Sequence, residues 1–294
     1  MFTMPELPEA ESIRRSLIPA VVGRRVCRVV VHRKDVVAGW EADCAPLDGA
    51  ILADVRRHGK RLALLPEIGL DVSPETARAV EIKLGMSGRL WVQPQSAAKQ
   101  VPPHTHVIWH LDKGARLCFC DPRRFGGINI WPNVAVLADH WQASLGPDAL
   151  AIKPAQLHRR LNRIRRVLKA ALLDQTVIAG LGNIYVDELL FASGLHPMTP
   201  ATTITAEQTR KLVRRMRRLL ERAIDARGST FRDYRDGMGQ SGGFQLQHRV
   251  YGRAGQPCCR CGRALSTQQV AARTTVFCTS CQPLVTDISY PMGG

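Results

Sequence analysis

The order of apolar and polar positions divides the chain into a helical start, a strand-rich stretch and a helical second half. From Pro5 to Leu17, apolar residues recur at intervals of three and four, the pattern of one helix face. From Val21 to Trp131, short apolar runs alternate with glycine and proline, and eight of these runs are predicted as β-strands. Many short strands in succession are typical of a β-sandwich or barrel. We therefore predict an N-terminal helix and a β-sandwich or barrel over residues 4–132.

The second half of the chain combines helical spacing with basic polar positions. Seven lysines and arginines lie between Ala149 and Leu173, and no acidic residue does. A longer helix is predicted over residues 206–227, with apolar residues on one side and arginines around them. One basic helix is usually no more than a solvated face, but two such segments with few acids favour a phosphate backbone as partner. We assign residues 149–245 to a helical domain.

The net charge changes the expected partners rather than the expected fold. The 294 residues include 41 Lys and Arg against 25 Asp and Glu, which gives a formal net charge of +16. This excess favours a polyanionic partner. There is no run of about 18 apolar residues, and the N-terminus lacks the basic-then-apolar order of a signal peptide. We therefore expect a cytoplasmic protein that binds nucleic acid.

Four of the nine cysteines form two Cys-x2-Cys pairs separated by sixteen residues: Cys258, Cys261, Cys278 and Cys281. This spacing is typical of two thiolate pairs that enclose one tetrahedral zinc ion. Four thiolates leave no open coordination position, so we predict one structural Zn²⁺ and no organic cofactor. The zinc module is predicted to span residues 246–282, and the tail, residues 283–294, is predicted to be disordered.

Two glycine-rich segments allow more than one interpretation. Gly180-Leu181-Gly182-Asn183 precedes a predicted helix, where backbone amides can approach a phosphate, although a simple tight turn is the commoner explanation. Residues 226–245 contain five glycines and are predicted to form a flexible loop. Such a loop could cover a substrate, or it could be a linker.

The segment Met4-Pro5-Glu6-Leu7-Pro8-Glu9 would supply an unusual nucleophile if Pro5 carried the free amino group. An α-amino group has a reference pKa of about 7.7–8.0, against about 10.4 for lysine, so more of it is unprotonated at neutral pH. As numbered, Pro5 is an amide and cannot attack. We expect Met4 to be the working start, with that methionine removed.

Several motifs occur in the order seen in one protein family: MPELPE at residues 4–9, Gly59-Lys60, Gly85–Gly88, Asp121–Gly126, Gly182–Tyr185, Val250–Arg253 and the cysteine module. From residue 4 to 282 the chain resembles the formamidopyrimidine-DNA glycosylases, base-excision repair enzymes with abasic-site lyase activity. The resemblance implies an α+β multidomain fold: a β-sandwich with an N-terminal helix, a helix-two-turn-helix DNA-binding domain and a C-terminal four-cysteine zinc hairpin. It also implies a bacterial, nucleoid-associated monomer whose partner is damaged double-stranded DNA.

The resemblance further implies a reaction and the residues that perform it. Oxidised purines such as 8-oxoguanine and formamidopyrimidines would be removed, and the abasic site would be cut by β,δ-elimination through a Schiff base on Pro5. Glu6 would protonate the sugar, and Lys60 and Arg273 would act at the flanking phosphates. The implied DNA contacts are His104, Arg123, Asn183, Arg163, Arg165 and Lys169. The implied wedge, which fills the space left by a flipped base, is Met86, Arg123 and Phe125.

Two alternatives remain open. The first is an endonuclease VIII-like enzyme for oxidised pyrimidines, although the wedge residues and the loop at 226–245 favour the purine type. The second is a non-catalytic protein that binds lesion DNA, which applies if residues 1–4 are retained.

Overall fold

Six α-helices and eleven β-strands occur in the residues that the structure, a computed structural model, describes: 4–39, 47–67, 78–97, 100–230 and 234–284. The helices are α1 (Leu7–Val21), α2 (Val134–Ser144), α3 (Pro154–Leu161), α4 (Leu168–Leu173), α5 (Asn183–Ser193) and α6 (Ala206–Asp225). The strands are β1 (Val26–Val31), β2 (Val37–Gly39), β3 (Leu52–His58), β4 (Arg61–Pro66), β5 (Ala79–Lys83), β6 (Arg89–Gln93), β7 (Thr105–Leu111), β8 (Arg116–Cys120), β9 (Gly127–Trp131), β10 (Ser266–Val270) and β11 (Arg273–Phe277).

The chain forms two compact units, and each unit takes residues from two separate segments. The first unit is Met1–Gly146 with Leu220–Leu246, and the second is Pro147–Leu219 with Gln247–Gly294. The predicted domain limits differ from these units, because residues 220–246 group with the first unit and the cysteine module groups with the second. The predicted disordered tail lies outside the described residues, apart from Pro283 and Leu284.

Two β-sheets form the sandwich of the first unit. One sheet has the strand order β1-β7-β8-β6 and is antiparallel throughout. The other has the order β2-β9-β5-β4-β3, with β2 and β9 as its one parallel pair in the described residues. Apolar side chains of both sheets share one core, which includes the fully buried Leu62, Ile82, Trp109 and Phe119. The predicted β-sandwich is confirmed.

Helix α1 packs its apolar face into the core of the sandwich. Its fully buried residues follow the predicted spacing of three and four: Leu7, Ala10, Ile13, Leu17 and Val21. The helix continues beyond its predicted end at Leu17 and passes through Pro19. Burial of Val21 stabilises this last turn, although the proline cannot donate a helical hydrogen bond.

One short strand of the first unit, β2, is not predicted by the sequence. It has three residues and ends in a glycine, so it shows no alternation of apolar and polar positions. Gly39 has φ +95°, and a Cβ there would lie 2.4 Å from Ile130 O in β9. Only glycine combines this φ with so close an approach.

Helix α2 covers the outer face of the five-stranded sheet. Its Leu137 and Trp141 pack against apolar residues of β4 and β5. Trp141 Nε1 donates to Glu81 Oε1 at 2.8 Å, and Asn129 Nδ2 donates to Glu81 Oε2 at 3.1 Å. Glu81 is fully buried, and these hydrogen bonds satisfy its carboxylate. The carboxylate therefore fastens the helix to the sheet.

The basic stretch 149–173 forms two short helices, α3 and α4. The backbone between them bonds to a distant segment instead of to itself. Leu168 N donates to Thr199 O at 2.7 Å, and Ala201 N donates to Arg166 O at 2.9 Å. These tertiary hydrogen bonds replace helical ones, so the arginines between the two helices lie on a turn.

None of the helices formed by the described residues is both long and apolar enough to span a membrane.

Candidate functional site

The N-terminal turn of α1 holds Pro5 and Glu6 in buried positions. Ala10 N donates to Glu6 O at 3.0 Å, which starts the helix. Glu6 N donates to Glu9 Oε2 at 2.9 Å and so satisfies an amide that has no partner within the helix. Glu6 and Glu9 are 3% and 2% exposed. The structure therefore brings the two predicted catalytic residues together at one buried helix start.

The described part of the glycine-rich loop, 226–245, is fastened to this helix start. Ser229 N donates to Glu9 Oε1 at 2.7 Å, and the Tyr234 hydroxyl donates to Glu9 O at 3.2 Å. Gly228 has φ +75°, and a Cβ there would lie 2.7 Å from Glu9 Oε1. The loop thus lies beside the predicted catalytic residues, and hydrogen bonds restrain a segment that the sequence predicts to be flexible.

Lys60 lies in the two-residue turn between β3 and β4, half-buried. Gly59 takes φ +58°, as tight hairpin turns require. Arg57 Nε donates to Glu11 Oε2 of α1 at 2.8 Å, and Arg57 Nη1 donates to Gly59 O at 2.8 Å. One buried guanidinium therefore holds both α1 and the turn that carries Lys60.

Glu11 is the carboxylate that pairs with Arg57 and with two further arginines of α1. It accepts hydrogen bonds from Arg14, Arg15 and Arg57 at 2.8 to 3.0 Å. Burial raises the pKa of Glu11, but the hydrogen bonds from the three arginines outweigh burial and lower that pKa to about 2. The carboxylate is therefore ionised at neutral pH, and the ion pair with Arg57 persists.

The wedge residues Met86, Arg123 and Phe125 come together on two adjoining turns. Gly85 has φ +58°, and a Cβ there would lie 2.4 Å from Phe125 C, so only glycine lets the turns approach this closely. Arg123 Nη2 donates to Met86 O at 3.3 Å, and its guanidinium carbon lies 5.5 Å from the centre of the Phe125 ring. Phe125 is 62% exposed. An apolar ring at an exposed turn tip has the shape that insertion between bases requires.

Asp121, which begins the predicted motif Asp121–Gly126 but has no predicted role of its own, holds the two wedge turns together. It is fully buried and accepts hydrogen bonds from Ser87 Oγ, Arg123 N and Gly126 N. The bond to Gly126 N is 2.7 Å long. An aspartate that opens a turn commonly accepts from the amides that follow, so the Asp-Pro start of this motif is a signal for the role.

His104 lies next to the same turns, immediately before β7. It is exposed and takes the left-handed φ of +59°. Its carbonyl oxygen accepts a hydrogen bond from Asp121 N at 3.1 Å. The predicted DNA contact at His104 is therefore connected to the turns that carry the wedge.

In the second unit, Asn183 lies beside β11, the strand that begins with Arg273. Asn183 is the first residue of α5, and its Nδ2 donates to Thr274 O in β11 at 3.0 Å. Arg273 is exposed and follows the hairpin turn Ala271–Ala272, whose φ values are +51° and +56°. Glycine or asparagine usually occupies such turn positions, because a Cβ is strained there. The two predicted phosphate contacts therefore lie on adjoining elements, α5 and β11.

Lys169 is fully buried, and its prediction as a DNA contact is wrong. Lys169 Nζ donates to Asp187 Oδ1 at 2.6 Å, and neither side chain is exposed. Asp187 Oδ2 also accepts from Val276 N at 3.0 Å, and burial raises the pKa of Asp187 to about 6. An ammonium that is shielded from solvent and bonded to its own carboxylate cannot reach a phosphate. The pair instead fixes β11 against α5.

Glu188, the next residue of α5, binds the chain that leads into the cysteine module. It accepts the backbone N–H groups of Arg249, Val250 and Tyr251 at 2.8 to 3.0 Å. The carboxylate is buried, so these hydrogen bonds are what stabilise its charge there. No sequence motif predicts this role of Glu188, although an acidic pair on a helix rich in apolar residues is a visible signal.

Arg163 and Arg165 are exposed on the turn between α3 and α4. Arg165 also lines an open cleft together with Arg166 and Thr202. Arg166 pairs with Asp174 at 2.6 Å. Exposed guanidinium groups beside a hydroxyl suit a phosphate, so these positions remain consistent with the predicted backbone contacts.

The four predicted metal ligands form one cluster in which all sulfurs lie within 4.8 Å of one another. Cys258 Sγ lies 3.9 Å from Cys281 Sγ, and Cys261 Sγ lies 3.5 Å from Cys278 Sγ. Four sulfurs bound tetrahedrally to zinc would be about 3.8 Å apart. Arg260 N donates to Cys258 Sγ, and Cys281 N donates to Cys278 Sγ, both at 3.4 Å. The site fits one structural Zn²⁺, which the four thiolates would hold with no open position.

Three family profiles match the chain in succession. The formamidopyrimidine-DNA glycosylase N-terminal domain matches residues 4–128, and the H2TH domain of the same enzymes matches residues 145–235. The zinc finger found in FPG and IleRS matches residues 255–284. The matched segments cover the sandwich, the helices of the second unit and the cysteine cluster.

Individual relatives are similar over almost the whole chain. The formamidopyrimidine-DNA glycosylase of Symbiobacterium thermophilum is 40% identical over 285 residues, which is 96% of this chain and 90% of the relative. The crystal structure of MutM (FPG) from Thermus thermophilus matches with a TM-score of 0.81 and 38% identity, covering 95% of this chain and 99% of that chain. A Lactococcus lactis FPG variant in complex with Fapy-dG-containing DNA matches with a TM-score of 0.83 and 29% identity, covering 95% and 100%.

The fold and these similarities define a DNA glycosylase that combines a β-sandwich, a helix-two-turn-helix domain and a zinc finger. The chain belongs to the formamidopyrimidine-DNA glycosylase family.

Glu11→Gln is expected to destabilise the protein by about 2 kcal/mol at pH 7, less than the full pKa shift implies because Arg14 and Arg15 are partly exposed to solvent. The pKa of Glu11 is lowered from 4.5 to about 2, so its stabilising effect is present above pH 4.5 and is lost as the pH falls towards 2. Urea unfolding at pH 7, 4.5 and 3 should show the difference between variant and parent shrinking with pH.

The matched control is Glu207→Gln, which removes an exposed glutamate from a surface ion pair with Lys211. This change should leave stability nearly unchanged at every pH. A Glu11→Gln penalty that is as large at pH 3 as at pH 7 would contradict the assignment.

Cys278→Ser is expected to remove the zinc and to weaken duplex DNA binding about tenfold or more, because the metal holds the hairpin that carries Arg273. Cys259→Ser is the control, since Cys259 is exposed and lies outside the cluster. The measurements are the zinc-to-protein ratio and duplex affinity. Equal affinity in the two variants would show that the hairpin does not contribute to binding.

Proposed function

We propose that this protein removes oxidised purines from double-stranded DNA and then cuts the strand at the abasic site. Membership of the formamidopyrimidine-DNA glycosylase family and a related structure that holds Fapy-dG-containing DNA support the proposal. The observation that carries it is the buried start of α1, where Pro5 and Glu6 lie together beside a loop that Glu9 fastens in place.

The first step is base release by a nucleophilic amine. Pro5 N, as a free secondary amine, attacks C1′ of the damaged nucleotide and forms a C–N bond. The glycosidic bond breaks with its electron pair leaving on the base, and the base takes up a proton in place of the one that the amine loses. Glu6 protonates the sugar ring oxygen, which opens the ring and leaves an iminium. This chemistry requires Pro5 to be the first residue of the working enzyme.

The second step is strand cleavage, for which the iminium is the electron sink. Loss of a proton from C2′ expels the 3′ phosphate by β-elimination, and loss of a second proton from C4′ expels the 5′ phosphate by δ-elimination. Water then hydrolyses the iminium and restores the amine. Lys60 and Arg273 are the cations proposed to stabilise the departing phosphates.

DNA binding positions the nucleotide for this attack. We propose that Phe125 and Met86 occupy the space of the flipped base and that Arg123 hydrogen-bonds the orphaned partner base. Arg163, Arg165, Asn183 and His104 are the proposed phosphate contacts. The wedge and the loop at 226–245 favour oxidised purines over the oxidised pyrimidines of endonuclease VIII-like enzymes. Because the proposed substrate is chromosomal DNA, we place the activity at the bacterial nucleoid, with the protein acting as a monomer.

A protein that begins at Pro5 should excise 8-oxoguanine from duplex DNA faster than thymine glycol. It should also form a covalent adduct with abasic DNA when borohydride reduces the iminium. The same chain with residues 1–4 retained should bind the DNA but form no adduct, because its Pro5 nitrogen is an amide. Gel analysis of trapped complexes and single-turnover excision rates provide the measurements.

Two results would contradict this prediction. Faster excision of thymine glycol would favour the endonuclease VIII-like alternative. Absence of an adduct from the chain that begins at Pro5 would exclude the lyase mechanism and leave a protein that only binds lesion DNA.

Phe125→Ala is expected to slow 8-oxoguanine excision from duplex DNA about tenfold or more. The inserted Phe125 ring offsets the cost of unstacking the bases, which is about a few kcal/mol, and alanine cannot. Protein stability should not change, because the ring is 62% exposed. The matched control is Val136→Ala, which truncates an exposed apolar side chain on α2, away from the wedge. It should change neither the excision rate nor the stability. A wild-type excision rate for Phe125→Ala would refute the wedge.

A further inference from the structure

Helix α6 separates its buried apolar residues from its basic residues, apart from the half-buried Arg217, which donates to Ile152 O. Leu212, Val213, Met216 and Leu220 are at most 1% exposed and belong to the protein interior. The basic residues on the opposite side are all exposed: Arg210, Lys211, Arg214, Arg215, Arg218 and Arg222. None of them is among the residues assigned above to the reaction or to the phosphate contacts.

The spacing of these basic residues is unfavourable for an isolated helix. Arg210, Arg214, Arg218 and Arg222 follow one another at intervals of four, as do Lys211 and Arg215. Like charges four residues apart lie side by side and destabilise a helix. Within the described part of the chain, Lys211 pairs with Glu207 at 2.6 Å, whereas Arg210, Arg214, Arg215 and Arg218 form no ion pair.

The repulsion on α6 contrasts with the arginines of α1, where Arg14 and Arg15 both pair with Glu11. Glu207 compensates part of this charge through Lys211 and Arg210, but no acid in the described residues pairs with Arg214, Arg215 or Arg218. Such an excess of positive charge on one face is typical of a surface whose partner is another molecule. A polyanion would remove the repulsion on binding. The charge pattern therefore points to a ligand rather than to a merely solvated face.

The chemistry of the face favours DNA over a protein or a membrane. No large apolar side chain is exposed among the described residues of α6, whereas protein interfaces usually have an apolar centre. A membrane-surface helix inserts its apolar face, but that face of α6 is already buried in the protein. Guanidinium groups bind phosphate bidentately, and those at intervals of four succeed one another about every 6 Å along the helix.

We propose that the exposed face of α6 is a second contact for the phosphate backbone of double-stranded DNA, independent of any lesion. The proposal rests on the proposed function only for the identity of the polyanion. The contact would release counterions from the DNA without contacting the bases. It would therefore raise the affinity for undamaged DNA and make that affinity depend more steeply on salt concentration. It would thereby keep the enzyme on DNA between lesions.

The test uses the whole protein and undamaged duplexes of 12 and 40 base pairs. Glutamine replaces arginine because the two have similar helix propensities, and circular dichroism checks that the helix content is retained. The slope of log Kd against log salt concentration should fall by up to about 0.9 for each arginine removed. Arg214→Gln/Arg218→Gln should therefore lower the slope by up to about 2, and the quadruple change that adds Arg210→Gln and Arg215→Gln should lower it by up to about 4.

The matched control for the double variant is Arg28→Gln/Arg56→Gln, which also removes two positive charges, but from exposed strand positions of the first unit. Its slope should stay close to that of the parent. A reduction confined to the 40-base-pair duplex would place the α6 contact on DNA beyond the 12 base pairs that the protein covers, and a reduction with both lengths would place it within those 12 base pairs; either result supports the proposal.

Slopes and affinities in the α6 variants equal to those of the control would overturn the proposal. So would α6-dependent binding of polyglutamate without any change in the duplex slope, which would identify an acidic protein as the partner. Because the duplexes carry no lesion, these outcomes are independent of excision. Failure of the proposed catalysis would appear instead in the trapping assay.

Discussion

The carboxylate of Glu9 is the interaction on which the arrangement of the first unit's site depends. One oxygen accepts Glu6 N, which sets the start of α1, and the other accepts Ser229 N, which sets the loop beside it. Both amides belong to buried residues, and a buried amide without a partner would be strongly unfavourable. The glycine at position 228 follows from this geometry, because a Cβ there would meet the same carboxylate. The Glu9 side chain thus fixes the position of the loop relative to the proposed catalytic residues.

The same physical device recurs at the other functional segments. Asp121 binds the amides of the wedge turns, and Glu188 binds three successive amides before the cysteine module. Turns cannot satisfy their own backbone groups as helices and sheets do, so a buried carboxylate that accepts several N–H groups defines their shape. The exposed residues proposed to act on DNA, such as Phe125 and Arg273, therefore project from turns and strand ends that these acids hold in place.

Sequence patterns predict the elements whose residues interact locally. The spacing of α1, the strands of the sandwich and the cysteine pairs all follow from short-range periodicity or ligand geometry. The pattern fails where a distant segment decides the outcome. Lys169 lies in a basic stretch, yet Asp187 neutralises it in the interior. The sequence pattern gives no helix limits for the stretch around it, because hydrogen bonds to Thr199 and Ala201 divide that stretch into two helices. Charge is visible in a sequence, whereas burial depends on the partner that tertiary structure supplies.

The first unit is built from two segments of the chain, and this limits how the protein can be divided. The chain passes from one unit to the other near residues 146, 219 and 246. A fragment that ended at residue 146 would contain every strand of the sandwich but would lack the loop that donates to Glu9 and Ser16. The sandwich is therefore not a module that recombination could transfer by a single exchange. Helix α1, the loop at 226–245 and the segment of the second unit that separates them in the sequence must be inherited together.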